Sequence, residues 1–128
     1  MITITNIRQA KPNDFDEIWA IVRSLKSKSP YLIQVAELSP SWNLFKKYLT
    51  LKEQNNWNEN TFQTIYRPQF LSELANDQAA QAKMEELISK HNAGKSIALV
   101  CFCTDPNLCH RSIISDILTA KGIPHTLN

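Results

Sequence analysis

Hydrophobic and polar positions follow two different periods along this chain. In "ITITNI", residues 2–7, β-branched and polar residues alternate, which predicts a short first strand. In "DFDEIWAIVRSL", residues 14–25, Phe15, Ile18, Trp19, Val22 and Leu25 recur at helical spacing, and Asp14 and Glu17 are placed as a capping box. The spacing predicts a helix there, stopped by Ser29-Pro30. "YLIQVA", residues 31–36, predicts a second strand. "SPSWNLFKKYL" opens a further helix with Ser39 as N-cap, Pro40 in the first turn, and Leu44, Phe45, Tyr48 and Leu49 facing inward.

A polar loop carrying Trp57 follows. From Glu59 the series Phe62, Ile65, Tyr66, Phe70, Leu71 and Leu74 is helical again, with Pro68 expected to kink or divide it. Residues 77–91 form another predicted helix, with Ala79, Ala82, Met84, Leu87 and Ile88 available for burial, His91 complementing its end and Gly94 closing it. "SIALVCFC", residues 96–103, is a nearly unbroken apolar run, as expected of a strand buried on both faces. Asp105-Pro106 then reads as N-cap and first helical residue. Ile113, Ile114, Ile117 and Leu118 form an apolar stripe that ends at Gly122, and "IPHTL" supplies a last strand. Strands separated by helical stretches predict an α/β fold: one compact domain over residues 1–128, with a small, mostly parallel sheet flanked by helices, Rossmann-like.

Composition changes this picture little. With 128 residues, 43% apolar and 20% charged, the chain is long enough to bury a core without disulfide or metal support. A net charge of +2 argues against a nucleic-acid partner, and Arg23, Lys26 and Lys28 read as a solvated helix end. The N-terminus has no secretory pattern and no run approaches a membrane span, so no membrane partner is expected. Three cysteines, an odd number, fit reduced thiols and a cytoplasmic location. The pattern is silent on oligomeric state.

All three cysteines fall within nine positions of "CFCTDPNLCHRS", residues 101–112, followed by His110 and Arg111. The segment spans the end of the most buried strand, a loop and a helix start, where parallel sheets bind ligands and where a helix N-terminus favours anions and thiolates. Cys101 and Cys103 point to one face and Phe102 to the other; Cys101 reads as a small buried apolar residue and Cys103 as the accessible one. Cys103, Cys109 and His110 are candidate catalytic residues, and Arg111 offers a planar fork for phosphate or carboxylate. If Arg111 pairs with a carboxylate instead, Asp14, Asp16 and Glu37 are the candidates. A phosphatase-type loop needs Cys, five residues and Arg, and neither Cys103 nor Cys109 has that spacing. A metal set could gather Cys103, Cys109 and His110, with His125 as a fourth, but at no common finger spacing. A dithiol pair six residues apart lacks thioredoxin-like spacing. Among the aromatics, Trp19, Phe45, Tyr48, Phe62, Tyr66 and Phe70 are expected in the core, while Trp42 and Trp57 fall off the stripes and are free to line a cleft.

The strand "ALVCFC", the acidic-proline loop and "CHRSII" resemble the C-terminal signature of the domain-of-unknown-function 488 family and its YeaO-like relatives. "LSPSWNLFKKYL" and the Trp57, Phe62, Tyr66, Leu71 series ending in "SEL" resemble its central segments, so that the likeness spans roughly residues 31–121. Before Tyr31, the family's Arg- and Pro-Arg-containing segment has no counterpart in "PYLIQVAEL". The resemblance implies a Rossmann-like α/β domain, motif positions at Cys103, Cys109, His110 and Arg111, and a second segment at Ser39, Pro40 and Ser41, with Ser39 and Ser41 as candidate ligand-binding residues. It implies no particular reaction or cofactor. Three functions stay open: a thiol-dependent enzyme for a small anionic, phosphate- or nucleotide-like ligand; a zinc- or iron-binding protein using Cys103, Cys109 and His110; and a non-catalytic interaction module.

Overall fold

The computed structural model of the chain describes residues 1–25 and 29–128. Strands β1 (Ile2–Asn6), β2 (Glu17–Ala20), β3 (Leu32–Gln34), β4 (Ile97–Cys101) and β5 (His125–Leu127) pair in the order β3-β2-β4-β1-β5, every pair parallel. All five residues of β4 are buried, as its unbroken apolar run requires of a strand with neighbours on both sides. Its Ile97 is in register with Ile2 of β1 and Glu17 of β2, and Val100 with Thr5 and Ala20. The α/β class and the parallel sheet are as the sequence predicts.

The helix expected over residues 14–25 is instead strand β2, preceded by a short 3-10 turn at Pro12–Asp14. Ile18, Trp19, Ala20, Ile21 and Val22 are buried in succession, a run that a two-sided inner strand accommodates and an amphipathic helix would not. The supposed capping box does not form: Asp14 is the last residue of the 3-10 turn, and Glu17 accepts from Trp19 Nε1 and Lys90. The basic helix end drawn from Lys26 and Lys28 lies outside the described residues.

Helix α1 (Trp42–Glu53) starts two residues later than predicted, with Ser41 rather than Ser39 as its N-cap. Of the four residues expected to face inward only Leu44 is buried; Phe45 and Leu49 are exposed. Next come α2 (Glu59–Thr61), a π-helical turn at Phe62–Tyr66, and α3 (Arg67–Asn76), in direct succession. Pro68 therefore does not interrupt the segment; it sits in the first turn of α3, directly after the π-helical turn. Phe62, Tyr66, Phe70 and Leu74 are all buried at intervals of four. In a regular α-helix such a series would drift by about 40° per step. The wider turn, closed by the Arg67 N–H on the Phe62 carbonyl, reduces that drift where it occurs.

Helix α4 (Gln78–Asn92) is capped by Asp77 and buries Ala80, Met84 and Leu87, while Ala79 and Ala82 are exposed, so its inner face is rotated from the predicted one. Lys90 and His91 occupy its last turn, and Gly94 follows at φ 88°, where a side chain would be strained. Helix α5 (His110–Ala120) packs on β1, β5 and α3 and buries Ile113, Ile114 and Leu118. Among the described residues no helix is long and apolar enough to cross a membrane.

Candidate metal and thiol centre

Strand β4 ends at Cys101, and the chain does not enter α5 directly. Asp105 accepts the Asn107 N–H and Pro106 opens a 3-10 turn, Pro106–Leu108. Cys109 then breaks into extended backbone at φ −135°, ψ 151°, and α5 starts at His110. The predicted start at Asp105-Pro106 is thus a separate turn. The break puts Cys109 at the N-cap of α5 and His110 in its first turn, so both side chains lie at the positive end of the helix, over the carboxyl edge of the sheet.

The ligand atoms of Cys101, Cys103, Cys109 and His110 all lie within 4.8 Å of one another. The Cys101 and Cys109 sulfurs are 3.3 Å apart, and Cys109 Sγ is 3.5 Å from His110 Nδ1. His110 Nε2 is 2.8 Å from the Ile21 carbonyl oxygen, which can only accept. Nε2 therefore carries a proton, and in the neutral ring this leaves the Nδ1 lone pair on the side of Cys109 Sγ. Phe70 packs edge-on to the imidazole at 5.8 Å and holds its plane. The Cys103 carbonyl is pinned by two donors, Asn6 Nδ2 at 2.7 Å and an Arg111 guanidinium nitrogen at 3.0 Å.

The thiols differ in acidity. The sulfurs of Cys103 and Cys109, together with burial, push the Cys101 thiol up. Burial acts the same way on Cys109, but the neighbouring thiols of Cys101 and Cys103, the nearby backbone N–H of Arg111 and its guanidinium charge outweigh it and hold Cys109 well below the ordinary thiol range. Tyr66, whose phenol is pushed up by burial and then by the same three cysteines, stands close to the cluster.

Arg111 is 1% exposed, and no carboxylate pairs with it among the described residues, neither Asp14, Asp16 nor Glu37. Its guanidinium donates to the Cys103 and Asn128 backbone oxygens, and its Nε has no partner. The fork is thus turned to backbone oxygens rather than to an Asp or Glu side chain. Ser39 is buried and donates to the Ala36 carbonyl at 2.6 Å. Ser41 caps α1 through the Leu44 N–H and donates to Glu73. His125, offered by the sequence as a fourth ligand, lies outside the cluster: its Nδ1 donates to Ile123 and its Nε2 accepts from Ser115 Oγ at 2.6 Å. The fourth member is Cys101, which the sequence presented as a core residue. It is that too, at 1% exposure. Its place two residues before Cys103, on the same side of the chain, was the available signal.

The cluster forms the floor of a cavity of about 580 Å³, one wall of which is aromatic: Trp42, Phe45, Tyr48, Trp57 and Tyr66. Trp42 and Trp57 line a cleft as expected. Phe45 and Tyr48, expected in the core, share this wall; Tyr66 lines it too but is buried, as are Trp19, Phe62 and Phe70. A family model described as the active DUF488-N3 subclade (DUF488-N3a) matches residues 4–122. No curated protein and no solved structure matches the chain.

Proposed function

This chain belongs to the domain-of-unknown-function 488 family, and on that footing we propose that it is a metal-binding protein in which Cys101, Cys103, Cys109 and His110 hold one thiophilic divalent cation, zinc foremost, at the floor of its cavity. The observation that carries this reading is the convergence of four donor atoms within 4.8 Å, with the Nδ1 lone pair of His110 on the side of Cys109 Sγ. Donor atoms around a tetrahedral zinc with three sulfurs and one nitrogen stand roughly 3.5–4 Å apart, so the widest separations would contract by about 1 Å while the 3.3 Å Cys101–Cys109 pair opens slightly. The surroundings suit a metal as well. The Ile21 carbonyl fixes the imidazole tautomer as an outer-shell acceptor does. Three thiolates around a divalent cation leave one negative charge, which a buried guanidinium without a carboxylate partner offsets.

The test is metal analysis of the untagged protein, with cobalt substitution as a spectroscopic readout. One zinc per chain is expected, lost in a Cys103→Ser/Cys109→Ser double variant. The cobalt form is expected to show intense thiolate-to-metal charge-transfer absorption. Protein that carries no stoichiometric metal and gives no such absorption with cobalt rules the reading out.

The lowered Cys109 thiol favours a second reading, a nucleophilic Cys109 or Cys103 with His110 as acid and base, acting on a small anionic ligand. Alkylation separates the two. On the metal reading, iodoacetamide reacts slowly with the purified protein and quickly after chelation. A thiol nucleophile reacts quickly in both.

A further inference from the structure

We propose that the cavity above the cysteine cluster binds a neutral, planar heteroaromatic ring, of the kind found in nucleobases and nicotinamide, stacked on its aromatic wall. The inference deepens the metal-centre reading and rests on it only for what the ring's heteroatoms would face.

The wall is continuous. Trp42 meets Phe45 edge-on at 6.0 Å, Phe45 meets Tyr48 at 6.0 Å, and Tyr48 meets Trp57 edge-on at 4.6 Å. These rings pack on one another at one side and line open space at the other. Trp42 is 53% exposed and adjoins the exposed Phe45, so the two leave a contiguous aromatic face open. A π-face of this kind stacks on flat rings and has little to offer a saturated one. The space, about 580 Å³, is of the size that takes one small organic ligand.

Charge narrows the class. Arg23 is the one charged side chain among the described lining residues, and its guanidinium donates to the Ser39 and Pro40 carbonyls. Among the described residues no carboxylate lines the cavity to hold a cation. The floor is made of thiols and an imidazole and the Arg111 fork does not reach into the cavity lining, so apart from Arg23, which is turned to carbonyls, no fixed cation among the described lining residues holds an anion. A neutral ring satisfies all three conditions. Its nitrogen or oxygen atoms give it a polar edge to direct at the floor.

The experiment uses the full chain as purified, with metal content assayed in every sample. Tryptophan fluorescence and melting temperature are followed against adenine and nicotinamide, with cyclohexanecarboxamide, benzoate and phenyltrimethylammonium as saturated, anionic and cationic controls. Saturable quenching and a raised melting temperature are expected for adenine or nicotinamide, and much weaker responses for the three controls. Trp42→Ala, at an exposed position where the fold does not depend on the ring, is expected to weaken binding about tenfold. Should that variant melt early, Tyr48→Leu replaces it. No saturable response to either planar probe overturns the inference, as does equal or tighter binding of any control, or undiminished binding in a folded wall variant. Ring binding by metal-free protein supports the inference while the metal reading fails. Metal without ring binding does the reverse.

Discussion

At Arg111 the same side chain carries two roles to weigh, one read from its chemistry and one from its contacts. A guanidinium at the head of an apolar helix suggests an anion site, but here it is a buried tie between the Cys103 loop and the chain at Asn128. Lysine would keep the charge and lose the fork, so Arg111→Lys is expected to lose one of the two contacts and to cost about 1–3 kcal/mol in urea unfolding. Unchanged stability would show that the two contacts contribute nothing. Glu17 offers a test in pH. Burial pushes its carboxyl up, but hydrogen bonds from Lys90 and Trp19 and the charges of Lys90 and Lys95 prevail, so its pKa lies below the ordinary 4.5. A group lowered in the folded state stabilises the fold above its unfolded value, and that contribution is lost as pH falls through the folded one. Glu17→Gln should therefore be less stable than wild type near neutrality, by about 1 kcal/mol, and the gap should close on acidification below pH ~4. A gap independent of pH would mean that the ion pair is not its source.

At the scale of elements, caps and breaks decide where side chains point. Ser41 serves two elements at once, accepting the Leu44 N–H of α1 and donating to Glu73 of α3. Ser41→Ala is expected to cost about 1–2 kcal/mol, and Ser39→Ala less than its burial suggests, because Ser39 caps no α-helix. Equal losses in thermal melts would refute that ranking. The break at Cys109 matters more. Had α5 begun at Pro106, Cys109 would stand inside the helix, away from its positive end. The sequence announced the turn through Asp105-Pro106, but not that the helix would restart at His110, because Cys109 is no preferred N-cap and makes no side-chain cap there.

For the whole molecule, the site is a product of topology. Cys101 comes from the central strand, Cys109 and His110 from α5, the acceptor for His110 from the chain just beyond β2, and the donor on Cys103 from β1. A metal there would join the sheet to α5, so chelation is expected to lower the melting temperature by at least about 5 °C. The Cys103→Ser/Cys109→Ser variant should show no such response to chelator, and a wild type that melts identically with and without chelator would oppose a structural contribution from the metal.

By itself the sequence determined the α/β class, the buried strand at 96–103, the helices near 42, 78 and 110, and the cluster of reactive residues after the strand. Each of these is written in local periodicity or in adjacent residues. Tertiary structure decided what local pattern leaves degenerate. Ile18–Val22 fits a helical stripe as well as an inner strand, and only neighbours β3 and β4 on both sides select the strand. Cys101 is apolar filler by its position in a strand, and becomes the fourth member of a cluster only because α5 brings Cys109 within 3.3 Å of it. The role of Arg111 likewise depended on which acceptors reached it. Partners distant in sequence fix such choices, and no period of 2 or 3.6 residues encodes them.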